Sequence, residues 1–135
     1  MSFAKINLAI NILRVAVGLG FVGIGLLHLA SPEPFLQIMP EALPWHLALV
    51  YVSGAAEILG GIGLLVPKTR RAAAWGLLLL LLAVFPANIN MAVNEIYVGG
   101  MPHEPWLLWA RLPMQLVGAA VVYRVGLHHS QSIGD

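Results

Sequence analysis

The sequence predicts an all-α integral membrane protein, a four-helix bundle that takes up the whole chain. Three observations carry this. Of 135 residues, 59% are hydrophobic and only 10% charged, with a mean hydropathy of +0.85; a water-soluble domain of this size needs far more surface charge. Four apolar stretches each reach about 20 residues, the length that crosses the ~30 Å hydrocarbon core as a helix. The links between them are too short for a separate soluble domain, so residues 1–135 form one transmembrane unit.

The first stretch is Asn7–Leu29, with Arg14 in its interior. It outruns the ~7–15-residue core of a signal peptide, and His28 before Ala30 interrupts the small-x-small cleavage pattern, so a retained first helix is expected. The loop Ser31–Pro44 then holds four prolines around Phe35-Leu36-Gln37-Ile38-Met39. An apolar patch between proline breaks predicts a short helix or re-entrant lid on the outer face. The second stretch is Trp45–Val66 with Glu57. The tight link Pro67–Arg71 leads to the third, Ala72–Val93, which carries Pro86, Asn88 and Asn90. The fourth, Trp106–Leu127, carries Arg111, Pro113 and Gln115. After Leu127 the chain is polar, and His128 and His129 are expected to be solvated.

Charge sets the expected orientation. Lys5, Lys68, Arg70, Arg71 and Arg124 flank one end of the spans, while the other two loops carry Glu33, Glu41, Glu95 and Glu104 and no Lys or Arg. The positive-inside rule then puts both termini in the cytoplasm and the proline-rich loop outside, in a multi-pass protein of the inner (plasma) membrane. Trp45 and Trp106 would mark the outer interface and Trp75 the inner one. Gly-Ile-Gly-Leu-Leu occurs at 23–27 and again at 61–65, but the copies end helices of opposite direction, and coincidence accounts for them in so biased a chain.

Helical spacing gathers the interior polar residues. Arg14, Gly18, Phe21, Gly25 and His28 share one face of the first span. Gly54, Glu57, Gly61 and Leu64 share one of the second, and Arg111, Gln115, Gly118 and Val122 one of the fourth. A lone charge at mid-bilayer costs about 2.5–3.5 kcal/mol on insertion scales. Glycines on the same stripes place these charges inside the bundle, where helices approach closely. At 1.5 Å per residue Glu57 falls near the midplane, with either Arg14 or Arg111 able to pair with it. An Arg14–Glu57 pair fixing helix register is the favoured structural reading. His28, Asn88, Asn90 and Gln115 fall in the outer half. Pro86 and Pro113 free carbonyls at Leu82 and Trp109 there. The expected site is thus an outward-facing polar pocket centred on Glu57, its ligand-binding residues Arg14, His28, Glu57, Asn88, Asn90, Arg111 and Gln115.

Several chemistries lack support. The chain has no cysteine, hence no disulfide, thiol chemistry or thiolate metal site. No metal-binding, hydrolytic or phosphate-loop spacing occurs, so no catalytic or metal-binding residue is assigned. No basic patch with interleaved aromatics suggests nucleic acid.

In order, Leu13-Arg14 with Gly18, then Gly23-Ile24-Gly25-Leu26-Leu27-His28, Ser53-Gly54-Ala55-Ala56-Glu57-Ile58-Leu59-Gly60-Gly61-Ile62-Gly63-Leu64-Leu65, the link Pro67–Ala73, and Phe85-Pro86-Ala87-Asn88 resemble the DoxX-like four-helix membrane proteins. The resemblance runs from Ile12 to about Tyr123. It implies a four-helix transmembrane bundle, with Arg14, Glu57 and Asn88 at the family's polar positions. It also implies association with quinone-linked respiratory or thiosulfate-oxidising complexes, with thiol-oxidant defence proteins, or with membrane receptors as an assembly chaperone. The missing cysteines depart from any version in which this subunit handles thiols itself.

The expected function is a redox-linked accessory subunit, not an enzyme on its own, that binds a quinone or similar lipid-soluble molecule in its polar pocket. Its partners would be the lipid bilayer, a redox or other membrane protein, and further copies of itself in a homo-oligomer. The alternatives are a scaffold whose buried charges are purely structural, and a small oligomeric transporter.

Overall fold

The computed structural model describes residues 2–127, which fold into five helices and no strand. These are α1 (Phe3–Ala30), α2 (Glu33–Gln37), α3 (His46–Leu65), α4 (Arg70–Val93) and α5 (Pro105–Leu127). All but the five-residue α2 are long and apolar enough to cross a membrane. His128 and His129 lie outside the described residues.

The boundaries follow local chemistry. α1 begins at Phe3 rather than Asn7 because Ser2, in extended backbone, caps it, its hydroxyl accepting the Lys5 N–H at 3.4 Å. α4 begins at Arg70 rather than Ala72 because Arg70 does two jobs. It opens α4, and its Nε donates to the Leu64 carbonyl at 2.9 Å while the Thr69 hydroxyl donates to that of Gly63 at 2.9 Å. The last carbonyls of α3, which no helical N–H can reach, are thereby satisfied by the link itself.

Packing is tightest between α1 and α3, which run antiparallel with backbones almost touching. A Cβ on Gly25 would lie 2.5 Å from the Gly54 carbonyl oxygen, and one on Gly61 2.5 Å from that of Gly18. Only glycine permits that approach, as small residues do at membrane helix seams. α3 meets α4 where Gly60 faces Leu77 and Gly63 faces Ala73, and Gly126 of α5 faces Ala74 of α4. One core cluster, Leu64, Ala74, Leu77 and Val122, fills the end of the bundle near the Pro67–Thr69 link. Another, Met91, Ala92 and Leu108, fills the end near α2 and is covered by the α4–α5 loop through Tyr97 and Val98. α1 and α5 meet sparingly, bridged near the link end by Arg14. Outward faces carry exposed Leu8, Leu59, Leu79, Leu82 and Val117. Such a surface suits lipid and would be untenable in water.

The predicted stripes meet different outcomes. Arg14, Gly18, Gly25 and His28 are all buried on α1, and Gly54, Glu57, Gly61 and Leu64 on α3. Of the α5 stripe only Val122 is buried; Gly118 has nothing within 4 Å of its missing side chain, and Arg111 is exposed. The glycine of the fourth span therefore marks no seam. The two Gly-Ile-Gly-Leu-Leu copies also differ in environment, since Gly23 faces open space and Gly61 the α1 backbone.

Candidate functional site

Glu57 sits in the middle of α3, buried to 9% exposure, and its Oε2 is the one buried side-chain polar atom without a hydrogen-bond partner among the described residues. The register that sets Gly25 against Gly54 brings His28, on the last turn of α1, beside it. His28 Nδ1 lies 3.3 Å from Glu57 Oε2 and 2.8 Å from the Ile24 carbonyl oxygen. A carbonyl only accepts, so Nδ1 carries a proton aimed at Ile24, and its contact with Glu57 is electrostatic without being a hydrogen bond.

α2 covers this pair. Pro34 lies in its first turn, and Phe35 stacks on the His28 ring with centroids 3.6 Å apart and planes at 18°. Two side chains hold the segment that follows. Asn90 Nδ2 donates to the Ile38 carbonyl at 3.0 Å, and the His46 ring to that of Pro40 at 3.1 Å. Asn90 is itself bonded by Asn94, whose Nδ2 donates to its Oδ1 at 2.6 Å.

Beneath the lid lies a cavity of about 310 Å³. α1 contributes Phe21 and His28, α3 contributes Ser53 and Glu57, α4 contributes Leu81 and Asn88, and α5 contributes Arg111 and Gln115. Asn88 Nδ2 donates to Gln115 Oε1, and Gln115 Nε2 donates to the Leu81 carbonyl at 2.5 Å, a polar chain across the α4–α5 seam. Among the described residues Arg111 forms no salt bridge, and it lines the cavity. The cavity thus offers an acceptor at Glu57, a donor at Arg111, and a flat aromatic surface at His28 and Phe35.

Of the expected site residues, His28, Glu57, Asn88, Arg111 and Gln115 come together on this cavity; Arg14 and Asn90 do not. The expected Arg14–Glu57 pair is absent. Arg14 Nε donates to the Val125 carbonyl at 2.7 Å and its Nη1 to Asn11 Oδ1 at 2.5 Å. The reason is register: with Gly18 against Gly61, Arg14 falls level with Leu65, about 12 Å of helix rise from Glu57. Asn90 faces the loop and serves the lid. Gln115 reaches the carbonyl of Leu81, not the Leu82 carbonyl that Pro86 frees. Sequence reasoning passed over Asn11 and Ser53. Each sits one turn before a charge on its own helix, Asn11 before Arg14 and Ser53 before Glu57, and that spacing was available. No cluster of three or more His, Asp or Glu that could hold a metal occurs among the described residues.

A family described as a Domain of unknown function (DUF8561) matches residues 17–126, which include every cavity residue above and exclude Asn11 and Arg14. No curated protein and no solved structure matches the chain.

Proposed function

The chain belongs to the DUF8561 family, and from its site we propose that it is a membrane-embedded binding protein. Its cavity holds a lipid-soluble molecule with a flat, oxygen-bearing head of the quinone or quinol type. The observation that carries this is Glu57 itself, in the wall of a cavity of about 310 Å³ and with its buried Oε2 lacking a hydrogen-bond partner. Leaving a buried oxygen without a donor costs about 1–3 kcal/mol, so a bundle that keeps such a carboxyl in a cavity wall is poised for a ligand to supply one. A quinol hydroxyl donates to Glu57, the oxygen across the ring accepts from Arg111, and the ring lies against the His28–Phe35 stack. The His28 imidazole and the Glu57 carboxyl stand side by side at the head-group position, 3.3 Å apart. That suits an accessory subunit of an oxidoreductase complex, the role the DoxX-like resemblance implies.

The orientation that fits this reading has the Pro67–Thr69 link and both chain ends in the cytoplasm and α2 outside, in a plasma-type membrane. Lys5, Lys68, Arg71 and Arg124 are exposed at the link end and Glu33, Glu41, Glu95 and Glu104 at the other, the asymmetry that retains basic loops on the cytoplasmic side.

The test is equilibrium binding of a decyl-substituted 1,4-benzoquinol, kept anaerobic, to the protein in lipid nanodiscs, with empty nanodiscs subtracted. Wild-type protein is expected to bind saturably, and Glu57→Gln to weaken binding about tenfold or more, the equivalent of one charge-assisted hydrogen bond. Binding indifferent to Glu57→Gln, or no saturable binding at all, overturns the proposal.

A further inference from the structure

We propose that the ligand is a tailed amphiphile which reaches the Glu57 cavity sideways from the bilayer, between α4 and α5, and leaves its apolar tail in the crevice there. This rests on the ligand-binding reading above and adds the molecule's shape and its route.

A second hollow of about 290 Å³ lies on the α4–α5 face, walled by Leu78, Leu82 and Phe85 on one side and Leu116 and Ala119 on the other. Leu81 and Gln115 line both this hollow and the Glu57 cavity. The partition between an apolar space and a polar one is therefore the width of two side chains. Gln115 is the polar half of that partition, held by Asn88 and by the Leu81 carbonyl. Its amide can release both bonds and swing without unfolding either helix.

The lips of the hollow belong to lipid. Leu82 is 70% exposed and Leu116 65%, so in a membrane the opening meets acyl chains. Pro86 and Pro113, inside α4 and α5, lie close in sequence to these lips; each removes one helical hydrogen bond, which lets the two helices part locally. A head group passing between them would exchange lipid for a donor at Arg111 and an acceptor at Glu57. An alkyl or isoprenoid tail would stay among Leu78, Leu82, Phe85 and Leu116. A compact polar solute has no reason to use such a doorway.

The test compares two probes on the same nanodiscs: the decyl-substituted benzoquinol and its methyl-substituted counterpart. Ala119→Phe fills the crevice, and Leu82→Trp covers its lipid-facing lip at an exposed position, so that one variant folds if the other does not. Comparing variant with wild type cancels the tail's partition into lipid. Each variant is expected to weaken the decyl probe about tenfold, the scale of a few buried methylenes, and to move the methyl probe less than about twofold. Unchanged decyl affinity in folded variants overturns the proposal and leaves the Glu57 site standing; the crevice then holds only bilayer lipid. Equal losses for both probes overturn it too, because the variants would be distorting the head site. If neither probe binds wild-type protein, both proposals fall.

Discussion

The imidazole and the two amides that share the cavity with Glu57 bond elsewhere. His28 Nδ1 is committed to Ile24, Gln115 to Leu81, and Asn88 to Gln115. A residue retained only for stability would have been given a donor. Glu57→Gln in ligand-free protein should accordingly leave the thermal unfolding midpoint unchanged or raise it, since it removes a buried carboxyl that makes no hydrogen bond. Unfolding followed by tryptophan fluorescence in nanodiscs checks this, and a drop of several degrees would assign Glu57 to structure. Arg14 behaves in the opposite way. Arg14→Met removes the donor to the Val125 carbonyl, and loss of a charged hydrogen bond is expected to cost about 1.5–3 kcal/mol while benzoquinol affinity stays within twofold of wild type. Both residues stood out in the sequence as charges inside apolar helices, and both are buried as their glycine stripes implied. Which charge faces which partner was not legible. Spacing along one helix says nothing about the register against the next, and a shift of two turns separates Arg14 from Glu57.

At the level of elements, the α1–α3 seam is held by backbone-to-backbone contact and the α4–α5 pair by side chains. In the seam, carbonyl oxygens of Gly18 and Gly54 stand where a neighbouring Cβ would go. Gly25→Val should therefore force the helices apart and lower stability by about 1–3 kcal/mol or prevent assembly, the usual penalty of overpacking. Gly23→Ala, on the same helix but facing open space, should stabilise by roughly 0.5–1 kcal/mol through helix propensity. The contrast is read from unfolding midpoints of the two variants, and equal effects would contradict the seam. α4 and α5 pack through Gly126 against Ala74 and through apolar clusters at both ends, and between these they meet through two amides and a backbone carbonyl, with a proline inside each helix. The four spans were legible to within a few residues because length and hydropathy alone set them. The glycine seam was half legible: Gly18, Gly25, Gly54 and Gly61 share their stripes with the buried charges, but Gly118 shares one too and packs against nothing. The lid was visible as an apolar run between prolines; its grip on His28 through Phe35 depends on a chain reversal that no local pattern encodes.

The whole molecule is an electrical rod. Every Lys and Arg except Arg111 belongs to the link half, and Glu33, Glu41, Glu95 and Glu104 belong to the α2 end. Each basic residue near an anionic cytoplasmic leaflet is worth about 1 kcal/mol, so several acting together dominate any single helix's preference. Arg111 is the exception, and it lines the Glu57 cavity. The orientation proposed above follows from this sum and can be overturned by changing it. In a bacterial host, a C-terminal green fluorescent protein fusion should glow and a C-terminal alkaline phosphatase fusion should be inactive, since the first matures in the cytoplasm and the second in the periplasm. Lys68→Gln with Arg71→Gln weakens the basic link while sparing Arg70, whose bond to Leu64 caps α3. Adding Gly100→Lys places a positive charge in the α4–α5 loop. The triple variant should insert in both orientations and show phosphatase activity beside residual fluorescence. An active phosphatase fusion on the wild-type chain would reverse the orientation and put the Glu57 cavity on the cytoplasmic side of the bundle. Its geometry would survive that reversal, but its ligand and any partner would then have to meet it from within the cell.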